Sequence, residues 1–125
     1  MERTSFEKLR VYDLAEKIAD NLYLVVSKWD PFAKDTVGMQ LVRAADSIGA
    51  NIAEGLGRGS PTDHARFVKI ARGSLYEVRH WLRRAHNRKL LTPLQTDELK
   101  PLINELSPKL NAYLNSIINR KNQHS

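Results

Sequence analysis

The sequence contains no cysteine, which excludes a disulfide framework, a thiolate zinc site and a cysteine nucleophile. It also lacks a long apolar run: nothing approaches the roughly 20 residues needed to span a bilayer. The opening stretch MERTSFEKLR mixes charges and has no apolar core of the kind a secretory signal carries. Alternating strand patterns, internal repeats and low-complexity tracts are missing as well. What is present is a 125-residue chain in which charged and apolar residues interleave throughout. This length fits one domain, residues 1–125, with enough apolar surface for a single core. The expected location is the cytoplasm, with residues 1–8 and 119–125 loosely ordered at the two ends.

Helical periodicity accounts for nearly the whole chain. In the first segment, residues 11–29, Val11, Leu14, Ala15, Ile18, Leu22, Val25, Val26 and Trp29 step by three and four onto one face. Asp30-Pro31 is expected to end it, because the residue before proline is driven out of the helical region. A second segment over residues 35–56 carries Val37, Leu41, Ala44, Ala45, Ile48, Ile52 and Leu56. Gly55, Gly57 and Gly59 are expected to end it with left-handed and open conformations. Ser60-Pro61 then reads as N-cap and first helical position, with Asp63 near the positive end of the helix dipole. The third segment runs to residue 89. Thr92-Pro93-Leu94-Gln95 repeats the start signal as a capping box. The last segment carries Leu99, Leu102, Ile103, Leu106, Leu110, Tyr113, Leu114 and Ile117. A kink or a broken first turn is expected near Pro101, since proline removes an internal hydrogen bond, and Pro108 repeats the problem. Four amphipathic helices with short connections predict an all-α, antiparallel bundle.

Acidic residues are scarce in one place. Residues 66–89 hold eight Lys or Arg and one acid, Glu77, a net charge of +7 in a chain whose total is +6. The remainder is therefore near −1. On a helical wheel, Phe67, Ile70, Ala71, Leu75, Val78, Trp81, Leu82 and Ala85 share an apolar arc. Lys69, Arg72, Tyr76, Arg79, His80 and Arg83 lie opposite, flanked by Arg66 and Arg84. Arg72, Tyr76, Arg79 and Arg83 follow a line about 16 Å long, enough to track several phosphates. Solvated helix faces usually mix signs, because like charges one turn apart repel by a few tenths of a kcal/mol. The stripe therefore points either to a polyanion such as RNA or DNA, or to an assembly or docking surface.

The second helix is odd in its own way. Gly49 costs a helix about 1 kcal/mol against alanine, so something should compensate for it. Ala45, Gly49 and Ala53 form a strip of small residues that lets another helix come close. Arg43, Ser47, Asn51 and Glu54 form an adjacent polar strip, for which local hydrogen bonding near the helix end is the simplest account. The glycine loop after it lacks the spacing of a phosphate-binding loop, and no strand precedes it.

The case for an enzyme is thin. Glu77-Val-Arg-His80 has the Glu-x-x-His spacing of di-iron bundles, but such sites need two of these motifs and two more glutamates, all pointing inward. His64, His80, His86 and His124 form no i, i+4 pair. No serine has a base and an orienting group at a recognisable spacing. The expectation is a protein with no catalytic residue, no metal, no cofactor and no small-molecule substrate.

The motif Ser47-Ile48-x-x-Asn51-Ile52-Ala53-Glu54-Gly55-x-Gly57-Arg58 resembles the signature of the four-helix-bundle family of 23S rRNA intervening sequence proteins. Phe6-x-x-Leu9-x-Val11-Tyr12 resembles the family's opening, and Gln40-Leu41-x-Arg43-Ala44-Ala45 the stretch before the signature. Phe67-x-x-Ile70-Ala71-x-Gly73-Ser74-Leu75-x-Glu77 resembles its third helix. The chain departs from the pattern at Gly49-Ala50, where a proline followed by a small residue is usual, and at Pro101. The resemblance implies an up-and-down four-helix bundle assembling into a ring-like homopentamer in a bacterial cytoplasm. It also implies similarity to the accessory protein of diversity-generating retroelements, a basic pentamer that works with a reverse transcriptase. Asn51, Glu54, Gly55, Gly57 and Arg58 would then serve architecture, and no catalytic residue is carried over.

Together these readings predict a non-enzymatic oligomer that contacts RNA or other nucleic acid through Arg66, Lys69, Arg72, Tyr76, Arg79, His80, Arg83 and Arg84. Five copies would gather about 35 net positive charges on residues 66–89. The rival is an interaction scaffold whose basic face docks an acidic protein partner such as a polymerase. A third reading buries the stripe between subunits. A membrane-surface role is disfavoured, because Trp81 and Leu82 are needed for the core.

Overall fold

A computed structural model describes residues 9–123, leaving out the side chains of Lys121 and Gln123. Phe6 and His124, and the expectations attached to residues 1–8 and 124–125, lie outside the described residues. Four helices and no strand are found among those described. Helix α1 spans Arg10–Ser27. Helix α2 covers residues 31–56 and has three parts: a first turn Pro31–Ala33, a π-helical turn Lys34–Gly38, and a regular run Met39–Leu56. Helix α3 spans Pro61–Asn87 and α4 spans Pro93–Gln123. Each helix packs against two others in cyclic order, α1 on α2, α2 on α3, α3 on α4 and α4 on α1.

The helix starts follow from their caps. Asp30 accepts the backbone N–H groups of Phe32 and Ala33 at 3.0 and 3.1 Å, with Pro31 at the first helical position. Asp30-Pro31 therefore opens α2 as well as following α1, and α2 begins four residues before its expected start. Ser60 Oγ accepts from the Asp63 N–H at 3.2 Å. Thr92 and Gln95 form the reciprocal capping box: Gln95 N–H donates to Thr92 Oγ1 at 3.1 Å, and Thr92 N–H donates to Gln95 Oε1 at 2.9 Å.

The helix ends depart from expectation. No glycine among the described residues has a positive φ; the left-handed residue is Lys89, at φ 61°. It closes α3 in the manner of a Schellman turn. Leu90 N–H donates to the Ala85 carbonyl at 2.9 Å, and Lys89 N–H to that of His86 at 3.0 Å. Gly55 is buried inside α2, and Gly57 caps that helix with right-handed geometry. Pro101 and Pro108 lie within α4, which continues through both without the expected break and extends past Ile118 to Gln123.

The core is the apolar stripe of each helix. Leu14, Ile18, Leu22, Leu41, Ile48, Ile52, Leu75, Leu106, Leu110 and Ile117 are fully buried, each contributing roughly 1.5–3 kcal/mol. Val68 is also fully buried, although the arc drawn from the sequence omits it. Ile70, assigned to that arc, is 42% exposed because it sits on the margin of the stripe. Trp29 follows α1 rather than belonging to it, and packs against the core from the connection.

Close helix contacts depend on small residues. A Cβ on Gly38 would sit 2.6 Å from Val26 Cγ1 and 3.1 Å from the Ala33 carbonyl, so any other residue here requires the Val26 side chain or α1 to shift. A Cβ on Gly55 would meet Phe67 Cβ at 3.0 Å and the His64 carbonyl at 3.2 Å. Gly49 is looser, with Tyr12 at 3.5 Å and Ala15 at 3.8 Å, so the helix that approaches it is α1 of the same chain.

Candidate nucleic-acid interface

Residues on α3 are held in register by a polar seam and a pair of ring contacts. Ser74, 8% exposed, donates to Ser47 Oγ at 2.9 Å. Asn51 Nδ2 donates to the Ser47 carbonyl at 2.8 Å and lies 3.0 Å from its hydroxyl. The strip on α2 is thus consumed in local bonding and in one link to α3. His64 Nε2 lies 2.9 Å from the Tyr113 hydroxyl, fixing the start of α3 against α4. Burial, followed by the nearby Arg120 charge, pushes the His64 pKa below its ordinary 6.5. Glu54 pairs with Arg58 at 2.7 Å, and Arg58 in turn lies over the Phe67 ring at 4.6 Å.

The basic residues of α3 are not equivalent. Arg66 also lies over the Phe67 ring, at 4.5 Å, and meets Asp63 at 3.6 Å. Arg84 is half-buried, with a Nε that has no hydrogen-bond partner. Arg72 is half-buried and reaches Asn111 of α4 at 3.4 Å. Lys69, Tyr76, Arg79, His80 and Arg83 are exposed, and His80 packs edge-on against Trp81 with ring centroids 4.8 Å apart. Among the described residues, Lys69, Arg72, Arg79, Arg83 and Arg84 have no carboxylate partner. Bases elsewhere do pair: Arg10 with Glu105 and Asp13, Lys17 with Asp13, and Lys109 with Glu105. Among the described residues, neighbouring acids therefore leave the stripe un-neutralised except at Arg66, which meets Asp63.

Two seams between helices open into grooves of opposite character. Between the end of α3 and the start of α4 lies a groove of about 370 Å³. Arg79, Arg83, His86 and Lys100 edge it, Leu82, Leu91 and Ile103 form its apolar lining, and no carboxylate lines it. Between α1 and α2 lies a smaller groove of about 130 Å³ lined by Glu16, Asp20 and Asp46, with no basic residue. Burial, reinforced by the Asp20 charge, raises the Asp46 pKa above its ordinary 3.8. Lys100 and His86 were not among the sequence candidates. His86 lies three residues beyond Arg83, on the same helical line, and could have been added. Lys100 had no such signal, since its place beside Arg79 and Arg83 exists only once α4 packs on α3.

Glu77 and His80 are both exposed on the outer side of α3. Among the described residues, no group of three or more His, Asp or Glu side chains is placed to hold a metal ion. No helix among them is long and apolar enough to cross a membrane.

Comparison with known proteins bears on the fold and family. Residues 7–112 match the family described as 23S rRNA-intervening sequence protein. No curated protein matches the chain. Among solved structures, it is similar to a protein with unknown function from the S23 ribosomal protein family of Bacteroides thetaiotaomicron. The TM-score is 0.73 at 22% identity, with 83% of this chain and 97% of that one covered. At that identity the likeness is one of fold.

Proposed function

The chain belongs to the 23S rRNA-intervening sequence protein family, and from that premise we propose a non-enzymatic, homo-oligomeric RNA-binding protein whose contact surface is the exposed basic face of α3. The observation that carries this reading is the run of basic side chains along α3, from Lys69 to Arg83, that have no carboxylate partner among the described residues. A helix that leaves Lys69, Arg72, Arg79 and Arg83 without carboxylates keeps its own repulsion, which an external polyanion relieves. Phosphate contact dominates such a surface, so sequence preference is weak.

The bundle is read as antiparallel and up-and-down, which the contacts support. Rising positions on one helix meet falling positions on the next: Gly38 and Gly49 against Val26 and Tyr12, then Ser47 and Gly55 against Ser74 and His64. Association into a ring of five leaves α3 free if subunits meet elsewhere. Tyr23, Leu24, Phe32 and Met39 cluster in sequence around the α1–α2 connection and are exposed, Phe32 at 79%. A second copy covering them would remove that apolar surface from water.

The test is RNA retention as a function of salt, with the triple variant Arg72→Glu, Arg79→Glu, Arg83→Glu beside the parent and sedimentation run on both. Expected are a steep fall of affinity with salt in the parent and loss of retention in the variant with its oligomer unchanged. A flat salt profile overturns the reading. Dissociation of the variant's oligomer assigns the stripe to a subunit interface. Loss of an acidic protein partner with RNA binding intact makes the protein a scaffold.

A further inference from the structure

We infer that the groove between the end of α3 and the start of α4 receives a single unstacked nucleotide of the RNA strand, its base on the apolar floor and its phosphate at the cationic rim. This inference rests on the RNA-binding reading and gives it a location. The groove's volume of about 370 Å³ is at the lower end of the range for small-ligand pockets, roughly 300–1,000 Å³. That suits one nucleotide rather than a stretch of strand.

Three features of the lining select the ligand's chemistry. Leu82, Leu91 and Ile103 offer an apolar bed, which a phosphate by itself would leave unused. Arg79, Arg83 and Lys100 stand at the edge without carboxylate partners among the described residues, so their charges are available to a ligand. Asn87 and Asn104 add groups that both donate and accept hydrogen bonds, and Thr96, whose hydroxyl donates to the Thr92 carbonyl at 3.2 Å, adds an acceptor, as the edge of a base requires and an alkyl chain does not. A paired, stacked base in a duplex has no face free to enter a cleft between helices, whereas a single strand can turn a base outward. The shape of the groove comes from the Lys89 turn: its left-handed backbone ends α3 and brings Leu91 back as one wall.

The experiment uses the whole protein with methyl groups of leucine and isoleucine observed by NMR. Adenosine 5′-monophosphate, ribose 5-phosphate and inorganic phosphate are titrated separately, to about millimolar concentration. In parallel, binding of single-stranded RNA of about ten nucleotides and of a blunt RNA duplex is measured for the parent, Asn104→Trp and Asn115→Trp. Asn104 is exposed and lines the groove, so tryptophan there fills it without changing charge; Asn115 is exposed on α4 outside the groove and serves as control.

The expected result is perturbation of Leu82, Leu91 and Ile103 by the nucleotide and not by the two phosphates. Asn104→Trp should weaken single-stranded RNA about tenfold and leave the duplex and the control variant unchanged. Equal responses to nucleotide and inorganic phosphate overturn the inference, because the base then plays no part. RNA binding that persists with no nucleotide response in the groove also overturns it while leaving the proposed function standing. A groove that takes the nucleotide in a protein that retains no RNA upholds the nucleotide site and overturns the RNA reading instead.

Discussion

Along the α1–α2 seam, Gly38 and Gly49 let two backbones approach, and Glu16, Asp20 and Asp46 line the shallow groove that is left. Along the α3–α4 seam, leucine and isoleucine side chains line the opening at one end, and Arg79, Arg83 and Lys100 edge a groove nearly three times larger. Both seams come from the same three-and-four spacing of apolar residues. The difference teaches that periodicity chooses which face is buried, while residue size at the seam decides whether it closes. The charges at its margin then decide what it attracts.

The comparison can be broken most strongly at the basic side. Replacing Arg79 and Arg83 together by Glu should reduce RNA affinity by about a hundredfold or more at moderate salt and make the log–log salt dependence shallower. Replacing Asp20 and Asp46 by Asn should leave RNA affinity within about twofold, measured in the same titration. An equal loss from both pairs would remove the distinction between the seams.

On the closed side, Gly38→Ala should destabilise by about 1–3 kcal/mol, since the new methyl collides with Val26. Gly49→Ala should instead stabilise by up to about 1 kcal/mol, because its methyl makes ordinary contact with Tyr12 and the helix gains propensity. Thermal unfolding of the two variants side by side checks the opposite signs. On the open side, Lys89→Gly should stabilise by roughly 1 kcal/mol or less, by relieving the left-handed backbone.

The smallest effect is in pH, and the two halves should respond with opposite signs. His64 is held neutral below its ordinary 6.5, so the unfolded chain takes up its proton first. Stability is lost as pH falls from 6.5 through the lower folded value. Asp46 is raised above 3.8, so the folded state takes up its proton first, and stability is gained as pH falls through that value towards 3.8. Denaturant midpoints against pH should flatten just below pH 6.5 in His64→Gln and just above pH 3.8 in Asp46→Asn.

Much of the fold was legible because its signals are local. Ser60-Pro61 and Thr92-Pro93-Leu94-Gln95 announce helix starts through bonds reaching only three residues. Asp30-Pro31 is the same signal, and was read as a stop because proline's effect on the residue before it resembles one. The π-helical turn ending at Gly38 was not foreseen; Gly38 there lies close against Val26 of α1, a contact that the spacing of apolar residues does not mark. Of the candidate interface, the charge stripe was visible. The burial of Arg84 and the addition of Lys100 were not, as they depend on packing depth and on a neighbour distant in the chain; the pairing of Arg66 with Asp63 and Phe67 is local, within three residues.

Sequence alone determined four amphipathic helices, the N-caps of the third and fourth, most of the core and the concentration of positive charge on the third helix, because each follows from spacing or composition within a few turns. Tertiary structure alone decided which bases stay unpaired, which glycines are obligatory and where a groove remains open. Those properties depend on distances between helices, and such distances are set by how side chains of unequal size meet across a seam.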